Sequence, residues 1–575
     1  MEEDFDDEEE ILLPVEREFH EAARTGDAEM VNSFIKQKIN VNCMDERDRT
    51  ALQLAAGQGH IDVINALMDA DANVDLGDKY GMNPLLWAAW FGKADAMKAL
   101  VMGGANRQAE NKQGLTIVHC AAARGHRGIL EYIVRELLDE DPMDSDYEEE
   151  EEDTGISLSA VSGKVTGLFS AAAGNVMGNL SQLGNMAMGK AGETKEEKPT
   201  QRSEKSFVEK KSKPEEGGKS PLHIAAENGR IPALEYLIKV KCNKFARTAD
   251  GSTALHLAAA SGHIHMVSTL LSYELEVDIR NESGKTPFLM AAENGHANVA
   301  ELLLSFKADG NVRANEKAKN MSAAHLAAKN NHPSVIKVLA GRRCDLNAKG
   351  MHGNTPIHVA TTMGHIESVK TLISQGCKIS AMNDKRRTAL HEATENGMVD
   401  IAELLLVAGI NLHVQDKTGK TALSMAARAD NITIVDMIIK ADRYWLKHKR
   451  RPGDIRNLDV LQFRKEKPEI REQMRPICYK LTHKQLTKEE STRLFYFWGF
   501  KPEHMAAIEM QYTGKQSWKA HGYRMMLIWL HGLEDNPLKE LYEGLINIDC
   551  KKLAEQIRAK ENKRAEANDS NCNLS

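Results

Sequence analysis

The chain is poor in the features that mark secreted, metal-binding and membrane-spanning proteins. Its eight cysteines include no C-x-x-C pair, which argues against a disulfide framework and against a zinc site. No run of about 18 apolar residues occurs, so no membrane span is predicted. The first residues do not form a basic and then apolar signal peptide. We therefore expect a cytoplasmic protein.

Features of nucleic-acid-binding proteins and of enzymes are also scarce. The net charge of the 575 residues is −8, and so modest an acidic balance gives no reason to expect nucleic acid as a partner. The chain has no G-x-x-x-x-G-K-S/T phosphate loop, no H-E-x-x-H and no serine nucleophile elbow. These motifs carry phosphate binding, zinc catalysis and acyl transfer. We expect neither catalytic activity nor a cofactor.

What the chain does contain is one pattern repeated along most of its length. Gly229, Gly262 and Gly295 lie 33 residues apart, and one copy reads DGSTALHLAAASGH over 250–263. A period of about 33 with a T-P-L-H-x-A core resembles the ankyrin repeat. The resemblance implies an all-α solenoid of stacked helical hairpins.

Elementary physical chemistry explains one such unit. Gly251 lies at a tight turn that favours a residue free to take positive φ, and the hydroxyl of Thr253 can cap the helix that follows. Ala258 and Ala259 leave a narrow apolar face on that helix, and Gly262 ends it. Because one hairpin cannot bury its face alone, we expect the stacked array to be the folding unit.

Breaks in the period and shifts in composition predict the organisation of the chain. About eleven repeats are expected, four before a long insertion and seven after it. The predicted segments are an acidic disordered tail at 1–15, repeats at 16–138, an acidic and Gly/Ser/Met-rich insertion at 139–218, repeats at 219–444, a basic linker at 445–480, a helical module at 481–560 and a disordered tail at 561–575.

Two segments outside the repeats leave alternatives open. Residues 154–192 carry apolar residues at three- and four-residue steps, which fits a disordered linker, a helix that docks on a partner, or a helix on a membrane surface. The basic cluster at 447–451 fits a solvated linker, a nuclear import signal or a lipid-facing patch.

Six histidines occupy one slot of the repeat, which could suggest a metal or catalytic site. They are His119, His223, His256, His325, His358 and His391. Because the repetition follows the fold, we interpret these imidazoles as structural groups that tie the backbone of adjacent turns together. Cys344 and Cys377 share another slot, and we interpret them as small core residues.

The segment at 481–560 has a different pattern, with aromatic residues and several short helices. The residues that carry its resemblance to a death domain are Gly499, Phe500, Ile508, Leu527, Trp529, Leu530, Leu541, Leu545, Ile548, Leu553, Ala554 and Ile557. Trp498 directly precedes Gly499, where death domains more often carry a tryptophan one turn earlier. The resemblance implies a six-helix death-domain bundle, and the whole chain is similar to the ankyrin repeat and death domain-containing proteins.

The resemblances indicate where partners would bind. An ankyrin array recognises a client protein with its hairpin tips and first helices, on its concave face. The candidates there are Tyr80, Trp87, Trp90, Lys112, Lys285, Arg386 and Arg387. Trp87 and Trp90 could instead fill the core, and the charged residues could be merely solvated. In the death domain, the candidates for contacts with other death domains are Lys519, Arg524, Glu534 and Asp535.

The function that both resemblances imply is that of a signalling adaptor, which joins a client protein to death-domain proteins. The alternative is a membrane-associated ankyrin scaffold that the segment 154–192 targets to a membrane surface. One modification site is suggested as well. Asn347 resembles the hairpin asparagine that is hydroxylated in ankyrin repeats, although an ordinary turn asparagine fits the position equally.

Overall fold

Helices make up the regular structure of the part of the chain that the computed structural model describes. That part comprises residues 13–137, 209–316, 319–448, 462–464, 468–511, 517–533 and 537–572. The β-type pairings in these ranges are three isolated bridges, Met44 with Thr50, Arg313 with Ser322 and Gln415 with Thr421. The chain divides into two units, residues 1–121 with 126–210 and residues 122–125 with 211–575. The segment 154–192 and the basic cluster beyond His448 lie outside the described residues.

Before the insertion, the helices follow one another in pairs. They are α1 (Pro14–Thr25), α2 (Ala28–Lys36), α3 (Ala51–Gln58), α4 (Ile61–Asp69), α5 (Pro84–Phe91), α6 (Ala94–Met102), α7 (Ile117–Arg124) and α8 (Arg127–Tyr132). A π-helical turn over Ile133–Leu137 continues α8.

Paired helices resume after the insertion. They are α9 (Pro221–Glu227), α10 (Ile231–Lys239), α11 (Ala254–Ala260), α12 (Ile264–Ser272), α13 (Pro287–Glu293), α14 (Ala297–Ser305), α15 (Ala323–Lys329), α16 (Pro333–Gly341), α17 (Pro356–Met363), α18 (Ile366–Ser374), α19 (Ala389–Glu395), α20 (Val399–Val407), α21 (Ala422–Arg428) and α22 (Ile432–Lys447).

The recurrent residues set the turns and helix ends as expected. Gly251 has φ of 75° and Gly262 has φ of 80°, values in the left-handed region that favours glycine. Thr253 precedes α11 and forms a capping box with His256. The roles predicted for the two glycines are confirmed.

Small residues let the first helices of neighbouring repeats pack closely. Ala258 and Ala259 of α11 are fully buried, as are Ala291 and Ala292 of α13, and the two helices are in contact. A methyl side chain adds little thickness to a helix, so the backbones approach each other and the core continues from one repeat to the next.

The C-terminal module consists of helices that follow the last pair. They are α23 (Pro468–Lys480), α24 (Lys488–Phe497), α25 (Pro502–Met510), α26 (Ser517–His531), α27 (Pro537–Asn547) and α28 (Lys551–Cys572), with a π-helical turn over Leu481–Gln485 after α23. The rings of Trp498 and Trp529 stack in its core with centroids 4.0 Å apart.

The module packs directly on the last repeat of the second unit. Helix α21 contacts α25, and α22 contacts both α25 and α26. From α22, Arg443 donates hydrogen bonds to the carbonyls of Trp498 and Ile528, each at 3.3 Å. Its guanidinium also lies 4.4 Å from the ring centroid of Phe500. The module therefore covers the end of the repeat array.

The basic linker expected at 445–480 is more structured than its composition suggests. Trp445 is 6% exposed on α22, and its Nε1 donates to the Leu406 carbonyl at 2.9 Å. Phe463 is fully buried, and α23 packs on α26. A few apolar side chains anchor this segment, although most of its residues are polar.

Candidate interaction surfaces

The histidine slot joins each repeat to the next. Nδ1 of His256 accepts the backbone N–H of Thr253 at 3.1 Å, and Nε2 lies 3.1 Å from the carbonyl of Lys285. Because a carbonyl can only accept, the proton is on Nε2. Nε2 makes the same contact from His223 to Ala246, from His325 to Asn354 and from His358 to Arg387. The structural interpretation of these four histidines is confirmed.

Burial keeps these imidazoles neutral at pH 7. It lowers the pKa of His223, His256 and His358 to about 4, although their hydrogen bonds to backbone carbonyls raise the pKa and offset part of this effect. A neutral, enclosed imidazole with both nitrogens bonded is a framework group, so it is not available to a ligand.

A glutamine replaces the histidine in the second repeat, which the sequence reasoning missed. Oε1 of Gln53 accepts the N–H of Thr50 at 2.6 Å, and Nε2 donates to the carbonyls of Leu76 and Met82 at 3.0 and 2.7 Å. The signal was present, since T-A-L-Q at 50–53 aligns with T-A-L-H at 253–256.

A buried carboxylate holds one of the candidate tryptophans in place. Asp78 is 6% exposed. Its Oδ1 accepts the N–H groups of Tyr80 and Met82, both at 2.9 Å, and its Oδ2 accepts Nε1–H of Trp87 at 3.1 Å. The same side chain thus shapes the hairpin tip and orients the indole on α5.

What we call the aromatic patch consists of the neighbouring rings of Trp87 and Phe91, together with Tyr80 at the hairpin tip that Asp78 shapes. The rings of Trp87 and Phe91 have centroids 5.4 Å apart, and the Arg49 guanidinium lies 5.9 Å from the Trp87 ring. Phe91 is 39% exposed and Tyr80 is 62% exposed, whereas Trp87 is half-buried. Exposed aromatic clusters of this kind mark protein-binding sites.

The other candidates before the insertion flank this patch. Trp90 is half-buried on α5, and its carbonyl lies 3.0 Å from Nε2 of His126. Lys112 is exposed at the next hairpin tip, where its N–H donates to the Tyr80 carbonyl at 3.0 Å. Neither of the two alternatives for Trp87 and Trp90 holds alone, because both rings are partly packed and partly open.

In the second unit, two of the three candidate cations are already paired. Lys285 forms an ion pair with Glu293, and Nη1 of Arg387 lies 2.6 Å from Oε2 of Glu395. Arg386 is exposed and has φ of 58° at its turn. Arg386 therefore presents the freer charge at this tip.

The module's candidates have different environments. Lys519 is half-buried, with Nζ 5.7 Å from the Trp518 ring centroid. Arg524 is only 7% exposed, because its Nε donates to Asp436 of α22 at 2.6 Å and its Nη2 to the Ile432 carbonyl at 3.0 Å. Its expected role as a surface contact is corrected, since it joins the module to the last repeat. Glu534 and Asp535 lie outside the described residues.

A second buried acid holds the same boundary between the module and the last repeat. Asp442 is 2% exposed, with Nζ of Lys501, Nε2 of His504 and Nε2 of His413 at 2.7, 3.1 and 3.2 Å. Burial raises the pKa of Asp442, but the hydrogen bonds from His504 and Lys501 outweigh it and hold the pKa well below its usual range. The carboxylate is therefore charged where the module docks.

The remaining candidates concern modification and metal binding. Asn347 is half-buried and its Oδ1 accepts the N–H of Lys378 at 2.6 Å, so its hydroxylation stays a prediction. Cys377 is buried, which raises the pKa of its thiol to about 12, and Cys344 is half-buried. Within the described ranges, no group of three or more His, Cys, Asp or Glu side chains suits a metal ion. None of the helices described is at once long and apolar enough to cross a bilayer.

Comparison with known proteins identifies the repeated part of the chain. A solved structure, the ankyrin repeat domain of human ASB11, is 30% identical over 36% of this chain and 92% of that chain, with a TM-score of 0.33. A family model described as ankyrin repeats (3 copies) matches residues 19–110, 222–314, 309–383 and 377–447. These ranges together span more than half of the 575 residues. The chain therefore belongs to the ankyrin-repeat family.

Proposed function

We propose that the protein is a non-enzymatic signalling adaptor of the cytoplasm. Its ankyrin repeats hold a client protein, and its C-terminal module, as a death domain, recruits other death-domain proteins. Ankyrin arrays bind proteins through hairpin tips and first helices. The observation that carries the proposal is the aromatic patch, in which the buried carboxylate of Asp78 orients Trp87 beside the exposed Phe91 ring and shapes the tip that exposes Tyr80.

The patch has the properties of a binding anchor. Aromatic side chains bury a large area and have few rotatable bonds, so they lose little conformational entropy on binding. The hydrogen bond from Trp87 to Asp78 makes this loss of entropy still smaller, because the indole is already oriented before the client binds. Arg49 is paired with Asp45, so the positive charge near the patch comes from the exposed Lys112 at the next hairpin tip. This charge favours a client segment that combines apolar and acidic residues.

The packing of the module supports the death-domain half of the proposal. Several of the residues that carry the resemblance are at most 3% exposed, among them Phe500, Ile508, Trp529, Leu541 and Leu545. Arg524 is excluded from recruitment, because it is engaged with Asp436. Lys519 of α26 is half-buried and Lys539 of α27 is exposed, so these two cations are the ones we propose for recruitment.

The test compares the partners of full-length variants by proximity labelling in cells. Tyr80→Ala with Trp87→Ala should remove one set of partners, the clients. Lys519→Glu with Lys539→Glu should remove another set, the proteins with death domains. Phe245→Ala is the matched control, since this aromatic is 54% exposed, belongs to the second unit and is not part of the patch. Partner sets that are unchanged in both double variants would contradict the proposal.

Point variants are preferable to deletion of the module. A chain that ends at Arg443 lacks Trp445, which is buried against the Leu406 carbonyl, and lacks α25 and α26, which cover α21 and α22. Such a chain exposes apolar surface on the last repeat, so partners could be lost or gained for reasons unrelated to death-domain binding.

Membrane targeting by 154–192 stays a prediction, and no feature of the described residues favours it. Flotation of the full-length protein with anionic liposomes tests it, with a variant lacking 154–192 as the control. Flotation that needs this segment would favour the membrane scaffold over the cytoplasmic adaptor.

A further inference from the structure

One position of the hairpin tips carries a basic residue in five successive repeats. Lys211, Arg247, Arg280, Arg313 and Lys349 each stand directly before the residue that opens the turn, and all five are exposed. We call these residues the basic ladder. All of them lie in the second unit.

The ankyrin fold does not require a base at this position. The equivalent residues in other repeats of this chain are Met44, Gly77, Glu110, Met382 and Gln415. These repeats form the same helical pairs with a neutral or acidic residue there. The five basic residues are therefore specific to this stretch of the chain and are not explained by the fold.

Each arginine of the ladder reaches the next repeat. Nη1 of Arg247 donates to the carbonyls of Arg280 at 2.8 Å and of Gly251 at 2.9 Å. Nη1 of Arg280 and of Arg313 donate in the same way to the carbonyls of Arg313 at 2.9 Å and Lys349 at 3.0 Å. The first step is the bond from Nζ of Lys211 to the Arg247 carbonyl at 2.6 Å. Because these bonds hold the side chains of Lys211 and the three arginines in place, these four members of the ladder present ordered charges.

The three arginines form no close ion pair within the described part of the chain. No described carboxylate lies within 4.0 Å of the guanidinium of Arg247, Arg280 or Arg313, whereas Lys285 and Arg387 are each paired with a glutamate. The hydrogen bonds from the arginines come from Nη1. The edge formed by Nη2 and Nε remains open, and that edge can bind a carboxylate through two parallel hydrogen bonds.

We propose that the basic ladder binds an extended acidic segment of a partner protein. Neighbouring repeats pack about 10 Å apart, and an extended chain advances about 3.4 Å per residue. A segment with a carboxylate at about every third residue therefore matches the spacing of the ladder. This surface is distinct from the aromatic patch, and its occupancy does not depend on the adaptor function proposed above.

The surroundings of the ladder favour a peptide over a nucleic acid. An open depression between Arg280 and Arg313 is also lined by Glu282, Glu316 and Asn320. The two glutamates repel a continuous phosphate backbone, whereas a peptide can place uncharged residues beside them. The side-chain amide of Asn320 can bond to a peptide backbone.

The test is the binding of a fluorescein-labelled 15-residue peptide, with glutamate at every third position and Gly-Ser between, to the full-length protein. Arg247→Gln, Arg280→Gln and Arg313→Gln combined should weaken binding about tenfold, because three charge-assisted pairs are lost. The same three positions changed to lysine should weaken it about threefold, since the charge remains and the two-pronged bond does not.

The matched control removes three positive charges elsewhere. Lys36→Gln, Lys239→Gln and Lys337→Gln combined change exposed lysines on second helices, and binding should stay within about twofold, since most surface charges far from a contact are screened. Equal loss in the two triple glutamine variants would overturn the proposal, because any charge would then serve. So would tighter binding of a 15-nucleotide single-stranded DNA than of the peptide.

Two further outcomes are decisive. If the probe binds only after residues 139–153 are deleted, the chain's own acidic segment occupies the ladder. That result would overturn the proposal that a partner protein binds there. If the triple glutamine variant loses its helical circular dichroism, Lys211→Gln with Lys349→Gln replaces it, because these ends of the ladder join fewer repeats. That pair should weaken binding about threefold, and unchanged binding would contradict the proposal.

Discussion

At the scale of single residues, Asp78 links the fold to the aromatic patch. Asp78→Ala removes the acceptor for two backbone N–H groups and for the Trp87 indole. We expect the free energy of unfolding to fall by about 2 kcal/mol, since buried donors lose their partner. Urea unfolding followed by tryptophan fluorescence measures it. Asp95→Ala is the control, because Asp95 is exposed and its ion pair with Lys98 is long at 3.9 Å. Its effect on the free energy of unfolding should stay within about 0.5 kcal/mol.

The histidine slot predicts how stability depends on pH. Burial lowers the pKa of His256 to about 4 in the folded chain, whereas an unfolded histidine titrates near about 6.5. Between these values the unfolded chain binds more protons, so stability falls as the pH drops from 6.5 towards 4. The loss is at most about 1.4 kcal/mol per pH unit for each such histidine.

Gln53 suggests a variant that isolates this effect. His256→Gln should keep the hydrogen bonds, as Gln53 does in its own repeat, and should make the stability curve shallower between pH 6.5 and 4. His265→Gln, which changes an exposed histidine, is the matched control. Urea midpoints measured at several pH values compare the two. Equal slopes in both variants would show that His256 does not titrate in this window.

Residues inside the repeat were predictable, and residues that act between modules were not. The slots of Gly251, Gly262 and His256 could be read because many copies of one pattern carry them. Gln53 was missed because the pattern was defined by the histidine alone. The partner of Arg524 is Asp436, 88 positions away, and no periodicity relates two residues that occur once each.

At the scale of elements, two helical glycines form a matched pair. A methyl group at Gly57 of α3 would lie 2.9 Å from Cε3 of Trp87, whereas one at Gly128 of α8 would have nothing within 4 Å. Gly128→Ala should stabilise by about 0.5–1 kcal/mol through helix propensity. Gly57→Ala should instead destabilise by about 1 kcal/mol, because displacing Trp87 outweighs the same gain. Urea midpoints decide, and equal stabilisation by both would mean that the indole moves freely.

The boundary between the last repeat and the module depends on Asp442. Asp442→Ala leaves Lys501 and His504 without their shared acceptor, and we expect a loss of about 2–4 kcal/mol. The lower end fits better, since the Lys501 side chain is 32% exposed. Asp400→Ala breaks an ion pair with Arg464 whose side chains are 62% and 58% exposed, and should cost under about 1 kcal/mol. Limited proteolysis should release the module from the first variant only.

Helices were predictable where the apolar period is strong and hidden where it is diluted. The repeat helices follow from a pattern with many copies. The core of the module follows instead from apolar and aromatic residues that each occur once. The extension of α22 and the position of α23 rest on Trp445, Phe463, Met474 and Cys478, which are all buried. These few residues stand in a segment whose basic composition points to solvent, so only the packing distinguishes it from a linker.

At the scale of the whole molecule, the module is part of what stabilises the second unit. In a repeat array, stability is a sum of repeats and their interfaces, and an uncovered end lowers it. A chain ending at Arg443 should therefore unfold at lower urea concentration than the full chain, with hydrogen exchange fastest in α19 to α22. A chain ending at His448 keeps Trp445, whose burial against α20 contributes about 2 kcal/mol, and should lie between the two. Identical urea midpoints would mean that the module does not stabilise the repeats. The expected order would show that the module contributes to the stability of the repeats, so that recruitment through the module and this stability are coupled.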